Sequence, residues 1–289
     1  MSGILTRRQV AGAGLGFSLA APACASASPV RPPKRVVSLF PCIDAILLRV
    51  ADPGQIAGLS NLSHEPSVSS VAAEAQRWPR VRDDAESLLA LRPDLVIISR
   101  YTAPSTRRAL FLAGVATLAV DPQLSVSESL DQVRRVAAAV GFPKRGEALV
   151  SRILLALDRA RPQAGSPRVA ALVFQTGGFV AGTGTLMDDM LRRTGFDNLA
   201  PRYGVRDFGN VALERLIRDP PQVLLADAPA PGAPNWGDRV LRHPALLALK
   251  DRIRIETLPQ SLLLCGGPVL LQTAPRLAAV HRRITGAGA

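Results

Sequence analysis

Short apolar runs alternate with amphipathic stretches along almost all of this 289-residue chain, and the alternation breaks once, over residues 143–161. Runs such as Arg35–Leu39, Asp94–Ser99, Thr117–Val120, Arg168–Phe174 and Val223–Ala226 are largely apolar, as strands covered on both faces are. Gln55–Leu59 and Ile253–Leu258 are further strand candidates. Helical spacing falls over 44–50, 84–91, 104–113 and 127–140, and again over 185–194, 211–218, 239–249 and 268–284. Strands that alternate with helices build mainly parallel sheets. In the interrupting stretch Leu149, Ile153, Leu154, Leu157 and Ala160 recur on one helical face, opposite Arg, Glu and Asp. That makes a helix about 28 Å long, closed by Pro162, Gly165 and Pro167. The expected fold is α/β: two lobes, each a mainly parallel sheet flanked by helices, joined by one long rigid helix. The limits are an N-terminal lobe over 34–142, the connecting helix over 143–162 and a C-terminal lobe over 163–285.

Composition narrows the function. The chain is 47% hydrophobic and 20% charged, which excludes wholesale disorder. The net charge of +12 comes almost entirely from Arg, since Lys34, Lys144 and Lys250 are the only lysines. The arginines are spread along the chain and only 4% of residues are aromatic, so no nucleic-acid partner is expected. His64, His243, His281 and three Cys are too scattered for a zinc or iron–sulfur framework, so neither a metal site nor a cofactor is expected. Residues 1–27 read as an export signal. Thr6-Arg7-Arg8-Gln9-Val10 looks like a twin-arginine address, with an ordinary secretory signal as the alternative. Ala11–Ala21 is too short to span a bilayer, and Ala23-Cys24-Ala25 and Ala25-Ser26-Ala27 both fit cleavage sites. Cys24 as a lipid anchor is a minor alternative, because no large apolar residue directly precedes it. A tether over 28–33 follows, and the mature chain is expected in the periplasm.

An internal echo joins the two halves. Glu86 opens an apolar helix that Pro93 stops before the Leu95-Val96-Ile97 strand; Glu214 opens another that Pro220 stops before Val223-Leu224-Leu225. Ligands of open parallel sheets sit beyond the carboxyl ends of the strands. Two such lobes facing one another make a cleft, and a stiff connector limits its hinge motion. That arrangement, outside the cytoplasm, reads as a capture protein rather than an enzyme.

With these marks in place, the chain resembles the ABC-transporter solute-binding proteins of the vitamin B12, ferric-siderophore and haem type. The resemblance covers about residues 34–284. It rests on the opening strand, the Glu86 to Ile97 segment, the connector, Gly182-Thr183-Gly184-Thr185-Leu186 leading to Thr194-Gly195-Phe196-Asp197-Asn198, and Glu214. The first cleft loop departs from the family: Phe40-Pro41-Cys42-Ile43-Asp44 stands where many members carry Ser-Pro and then Glu. The resemblance implies a bulky metal chelate as ligand (cobalamin, a ferric siderophore or haem). It also implies docking of Glu86 and Glu214, one on each lobe, against Arg of an inner-membrane ABC permease. The local alternative is that Asp83 and Glu86 form a capping box. A monomer is expected.

The cleft candidates lie just after strand ends: Phe40, Pro41 and Cys42; Arg100 and Tyr101; Thr176 and Phe179; Tyr203, Arg206 and Phe208; and Leu263 to Cys265. Rings offer flat contact to a macrocycle, Arg can pair with ligand carboxylates, and Tyr101 is a candidate ligand to ferric haem iron. Cys42 and Cys265 lie on opposing lobes, where an oxidising compartment allows a bridge or free thiols; free thiols are the expectation, since a bridge would lock closure. The His residues are expected at the surface or in loops. Two rival readings remain: a two-lobed nucleotide-sugar transferase, with Gly177, Gly178, Gly182 and Gly184 cradling phosphate, and an exported interaction module with an acidic partner.

Overall fold

A computed structural model of the chain describes residues 31–175, 178–227 and 241–286. The export signal, with Cys24, and the site candidate Thr176 lie outside the described residues.

The first half contains β1 (Val36–Ser38), α1 (Pro41–Val50), β2 (Ile56–Ser60), α2 (Ala72–Ala75), β3 (Arg80–Val81), α3 (Ala85–Ala90), β4 (Leu95–Ser99), α4 (Pro104–Leu112), β5 (Ala116–Val120) and α5 (Val126–Ala139). Its five strands form one sheet in the order β3-β2-β1-β4-β5, and every pairing is parallel. Chain order reverses direction between β1 and β4, which is where an open parallel sheet leaves a crevice. Then comes α6 (Pro143–Arg159). The second half contains β6 (Val169–Gln175), β7 (Phe179–Ala181), α7 (Leu186–Arg193), β8 (Phe196–Asn198), β9 (Phe208–Asn210), α8 (Leu213–Arg218), β10 (Val223–Ala226), α9 (Pro244–Leu247), β11 (Arg254–Thr257) and α10 (Leu270–Thr285). Its sheet runs β11-β10-β6-β7-β9, with β8 also paired to β6. The β6, β8, β10 and β11 pairings are parallel, while β7 runs antiparallel to both β6 and β9.

Strand side chains alternate between faces, and the buried residues divide accordingly. Leu95 and Ile97 of β4 face one cluster while Val96 and Ile98 face another. In β10, Val223 and Leu225 join that same first cluster, whereas Leu224 and Ala226 join a third. The inner faces of the two sheets therefore share one continuous core, filled by Ile43 and Ile46 of α1, Val133 and Val136 of α5, Ile153 of α6 and Leu277 of α10. Each outer face has a core of its own.

The helix α6 presents Leu149, Val150, Ile153 and Leu157 to the shared core. Leu154, expected in that stripe, instead lies 48% exposed, and Val150 takes its place. The two positions are four residues apart on the same flank, so a small rotation of the helix decides between them. Gly146 allows α6 to approach α5: a Cβ there would stand 2.5 Å from the Ala137 Cβ. The start of α1 also differs from expectation. The helix begins at Pro41, three residues before Asp44, because proline is pre-set for a first helical position.

Two of the histidines expected at the surface or in loops are buried. His64 sits with Nδ1 3.1 Å from the Ser60 carbonyl and Nε2 3.1 Å from the Trp78 carbonyl. His281 places Nε2 3.0 Å from the Pro167 carbonyl and meets Phe196 edge-on. His243 caps α9, its Nδ1 accepting from Ala245 N–H. Among the described residues no three His, Cys, Asp or Glu gather to hold a metal ion, and no helix is long and apolar enough to cross a membrane.

Candidate functional site

The cleft is built where the carboxyl ends of both sheets meet. After β4 the chain turns at once: Ser99 N–H donates to Thr102 Oγ1 at 3.1 Å, and Tyr101 N–H donates to Ser99 Oγ at 3.2 Å. Arg107 braces the turn by donating to the Ser99 and Thr102 carbonyls. Thr102 is buried, so Arg100 and Tyr101 project outward, and Tyr101 is 72% exposed. Arg100 Nε donates to Asp121 Oδ1 at 2.8 Å, which ties this turn to the one after β5. That pairing holds the Asp121 carboxyl below its usual range and raises the Arg100 guanidinium. On the other lobe Phe179 of β7 and Phe208 of β9 stack with ring centroids 5.5 Å apart and planes 7° from parallel. The antiparallel register makes this possible, since Ala181 opposes Phe208 and Phe179 is two residues away on the same face.

These groups line one cleft of about 250 Å³, together with Phe40, Cys42, Gln175, Leu263 and Leu264. Among the described residues Arg100 is its only charged wall residue, and its charge is already answered by Asp121. The Tyr101 hydroxyl makes no hydrogen bond among the described residues. The wall is therefore mostly aromatic and aliphatic, with the Tyr101 phenol, the Asp121-paired Arg100 guanidinium and the side chains of Gln123, Gln175 and Thr185 for polar contact.

Of the expected site residues, the structure brings together Phe40, Cys42, Arg100, Tyr101, Phe179, Phe208 and Leu263 in this wall. Pro41 is the first residue of α1 and lies between two wall residues without joining the wall. Tyr203 is elsewhere: it is buried in the outer core of the second lobe, and its hydroxyl donates to the Asp219 carbonyl at 2.6 Å. Burial, with Asp219 nearby, pushes its phenol up to about 12. Arg206 is exposed outside the wall, with its carbonyl accepting from Thr183 Oγ1 at 3.1 Å. Sequence reasoning missed Pro122, Gln123 and Leu124 after β5, and Thr185 to Met187 at the start of α7. The first group follows a strand end and so carries the same signal that singled out Arg100 and Tyr101.

The cysteines correct an expectation. Cys42 and Cys265 are not free thiols; they form a disulfide with Cα atoms 5.0 Å apart, inside the range such bonds span. Cys42 is in the wall and Cys265 directly follows Leu264. The bond crosses between the lobes at the cleft.

The departure at Asp44 also has a physical account. Asp44 is fully buried, and its Oδ2 accepts from Ser60 N–H at 2.8 Å and Ser63 Oγ at 2.6 Å. It fastens the end of β2 beneath α1 and does not reach the cleft. Burial outweighs these bonds and pushes its carboxyl up to about 6. Of the glycines of the phosphate-cradling alternative, Gly177 lies outside the described residues and Gly182 is fixed by packing. Gly182 packs against the Arg206 backbone with no room for a side chain. Thr185 caps α7 itself, accepting from Asp188 N–H, so the chain already satisfies that helix end.

Glu86 and Glu214 lie in the first turns of α3 and α8, and both are exposed. Neither pairs with a cation among the described residues. Asp84, not Asp83, caps α3, accepting from Ser87 N–H at 2.8 Å. Asp83 instead accepts from Ala103 N–H, so the alternative of an Asp83–Glu86 capping box is not what forms.

Solved structures share this architecture. The apo periplasmic haem-binding protein RhuT from Roseiflexus sp. RS-1 is 25% identical, with a TM-score of 0.70 over 88% of this chain and 98% of its own. A periplasmic haem-binding protein from Pseudomonas aeruginosa is 23% identical, with a TM-score of 0.67 over 86% of this chain and 92% of its own. Helicobacter pylori CeuE with Ni(II) bound is 17% identical, with a TM-score of 0.67 over 89% of this chain and 86% of its own. No curated protein matches the chain. The family model for periplasmic binding proteins matches residues 36–256, which take in both sheets and the helix between them. The chain therefore belongs to the periplasmic binding protein family.

Proposed function

We propose that this protein captures a planar metal chelate, ferric haem, in the periplasm and delivers it to an ABC permease. The observation that carries the reading is the stacked Phe179–Phe208 pair sharing one cleft with the unpartnered phenol of Tyr101. Flat rings suit a tetrapyrrole face, and a tyrosine oxygen suits ferric haem iron. The similarity to a haem-binding relative over nearly the whole chain supports the same ligand class. A cleft of about 250 Å³ is below the ~300–1,000 Å³ of pockets that engulf a drug-sized ligand. A tetrapyrrole would therefore seat one edge and leave the other in water. Arg100, tethered at Nε, offers its remaining N–H groups to a propionate.

For delivery, Glu86 and Glu214 are the docking carboxylates, one per lobe, as interfacial charges that set register and speed encounter. The Arg-Arg segment at residues 7–8 is the export address.

The test is an absorbance titration of the purified protein with ferric haem, cyanocobalamin and a ferric hydroxamate. The expected result is saturable uptake of haem alone at one equivalent, with a ligand-field spectrum that changes in Tyr101→Phe. Uptake of the corrinoid or the hydroxamate in preference to haem would overturn the assignment.

A further inference from the structure

The segment between β11 and α10 belongs to the second lobe by sequence, yet it is fastened to the first lobe. Cys265 is bonded to Cys42 in the first turn of α1. Gly267 N–H donates to Ser129 Oγ of α5 at 2.5 Å. Gly267 also packs closely on Ile46 of α1, and a Cβ on Gly266 would stand 2.8 Å from the Ser129 Cβ. The bonded sulfurs are shielded by Ala45, Val71 and Val269. Leu263 and Leu264, which directly precede Cys265, form cleft wall, and Phe40 and Cys42 form the wall on the opposite lobe.

We infer that the Cys42–Cys265 bond is a cross-lobe fastener that positions Leu263 and Leu264 as a fixed cleft wall, so that this strap governs how long a ligand is retained. Two neighbouring wall residues hang from a covalent anchor whose partner is itself in the wall. With the anchor in place, a seated ligand leaves only through the open side of the cleft. Without it, the strap is tied to the first lobe by the Gly267–Ser129 hydrogen bond and packing, while its bonds within the second lobe, such as Thr273 Oγ1 donating to the Leu262 carbonyl at 2.8 Å, do not hold it against α1, and the wall can swing aside. Loss of the bond should therefore speed release. The retention half of this inference rests on the capture reading above; the positioning half does not.

The test compares the exported full-length protein with its Cys42→Ala/Cys265→Ala variant. Peptide mapping without reductant should recover Cys42 and Cys265 in one linked peptide; separate alkylation of the two would overturn the inference. In the ligand-free proteins, amide hydrogen exchange over residues 262–267 should be about tenfold faster in the variant, with α6 unchanged. Equal exchange would overturn it. Ferric haem should leave the variant about tenfold faster. Unchanged release beside faster exchange would overturn the role in retention. Should the wild type take up no haem, the haem assignment fails while the exchange comparison still decides the positioning. If the variant does not fold, the wild type is reduced with dithiothreitol, which yields two thiols and is itself oxidised to its cyclic disulfide, and alkylated. The same exchange is then read, and unfolding there as well would overturn a positioning role.

Discussion

At the scale of single residues, Asp44 carries the clearest physical signature. An aspartate titrates near 3.8 when exposed, and burial moves this one up to about 6 in the folded protein. The folded state therefore binds the proton more tightly between these values. Folded stability falls as pH rises through that window, and the full cost of about 3 kcal/mol remains above it. Asp44→Asn keeps an oxygen for Ser60 and Ser63 and removes the titration. Denaturant unfolding of variant and wild type at pH 4 and pH 7 should show the variant gaining relative stability at pH 7; a pH-independent difference would contradict the account. The sequence marks Asp44 as a departure but not as buried, because burial depends on Ser60 and Ser63, which only the fold brings beneath α1. Tyr203 shows the converse. An aromatic placed just after a strand end reads as cleft lining, whereas its hydroxyl finds the Asp219 carbonyl on the far side of the sheet. A phenol can be buried once its polar tip is bonded, and nothing local in the sequence reports that partner.

Among the elements, the long regular ones are legible and the short ones are not. The helices α5 and α6 and the strands β4, β6 and β10 fall within three residues of their sequence-expected limits, since each shows several turns of periodicity or an unbroken apolar run. β7, β8 and β9 are three residues each, and β8 and β9 contain Gly, Asp or Asn, so no pattern can establish itself. They matter all the same, because β7 and β9 carry the stacked phenylalanines. The echo between the halves has a structural counterpart: α3 precedes β4, the neighbour of β1, as α8 precedes β10, the neighbour of β6. Both helices therefore offer an exposed glutamate at an equivalent place. Reversing both charges, Glu86→Lys with Glu214→Lys, should abolish uptake in cells while leaving ligand affinity within about twofold. An equal loss of ligand affinity would remove the docking role.

For the whole molecule, the two sheets are separate but the core between them is shared. Residues of α1, α5, α6 and α10 fill one continuous cluster that touches the inner face of each sheet. The connecting helix is thus part of a packed interface and not an isolated rod, a point that periodicity in one segment cannot convey. A shared core couples the lobes energetically. Scanning calorimetry should show a single transition whose calorimetric and van't Hoff enthalpies agree, while two resolved transitions would mean independently folding lobes. The disulfide reinforces the same coupling at the cleft. Its two cysteines were visible as facing one another across the cleft, but their bonding depends on an approach of the strap to α1 that no local pattern encodes. The ligand assignment is tested most directly by anomalous scattering at the iron edge from crystals of the haem-loaded protein. The account predicts one iron peak within bonding distance of the Tyr101 oxygen, with the macrocycle against Phe179 and Phe208. An iron peak outside the cleft, or crystals that exclude the iron altogether, would contradict it.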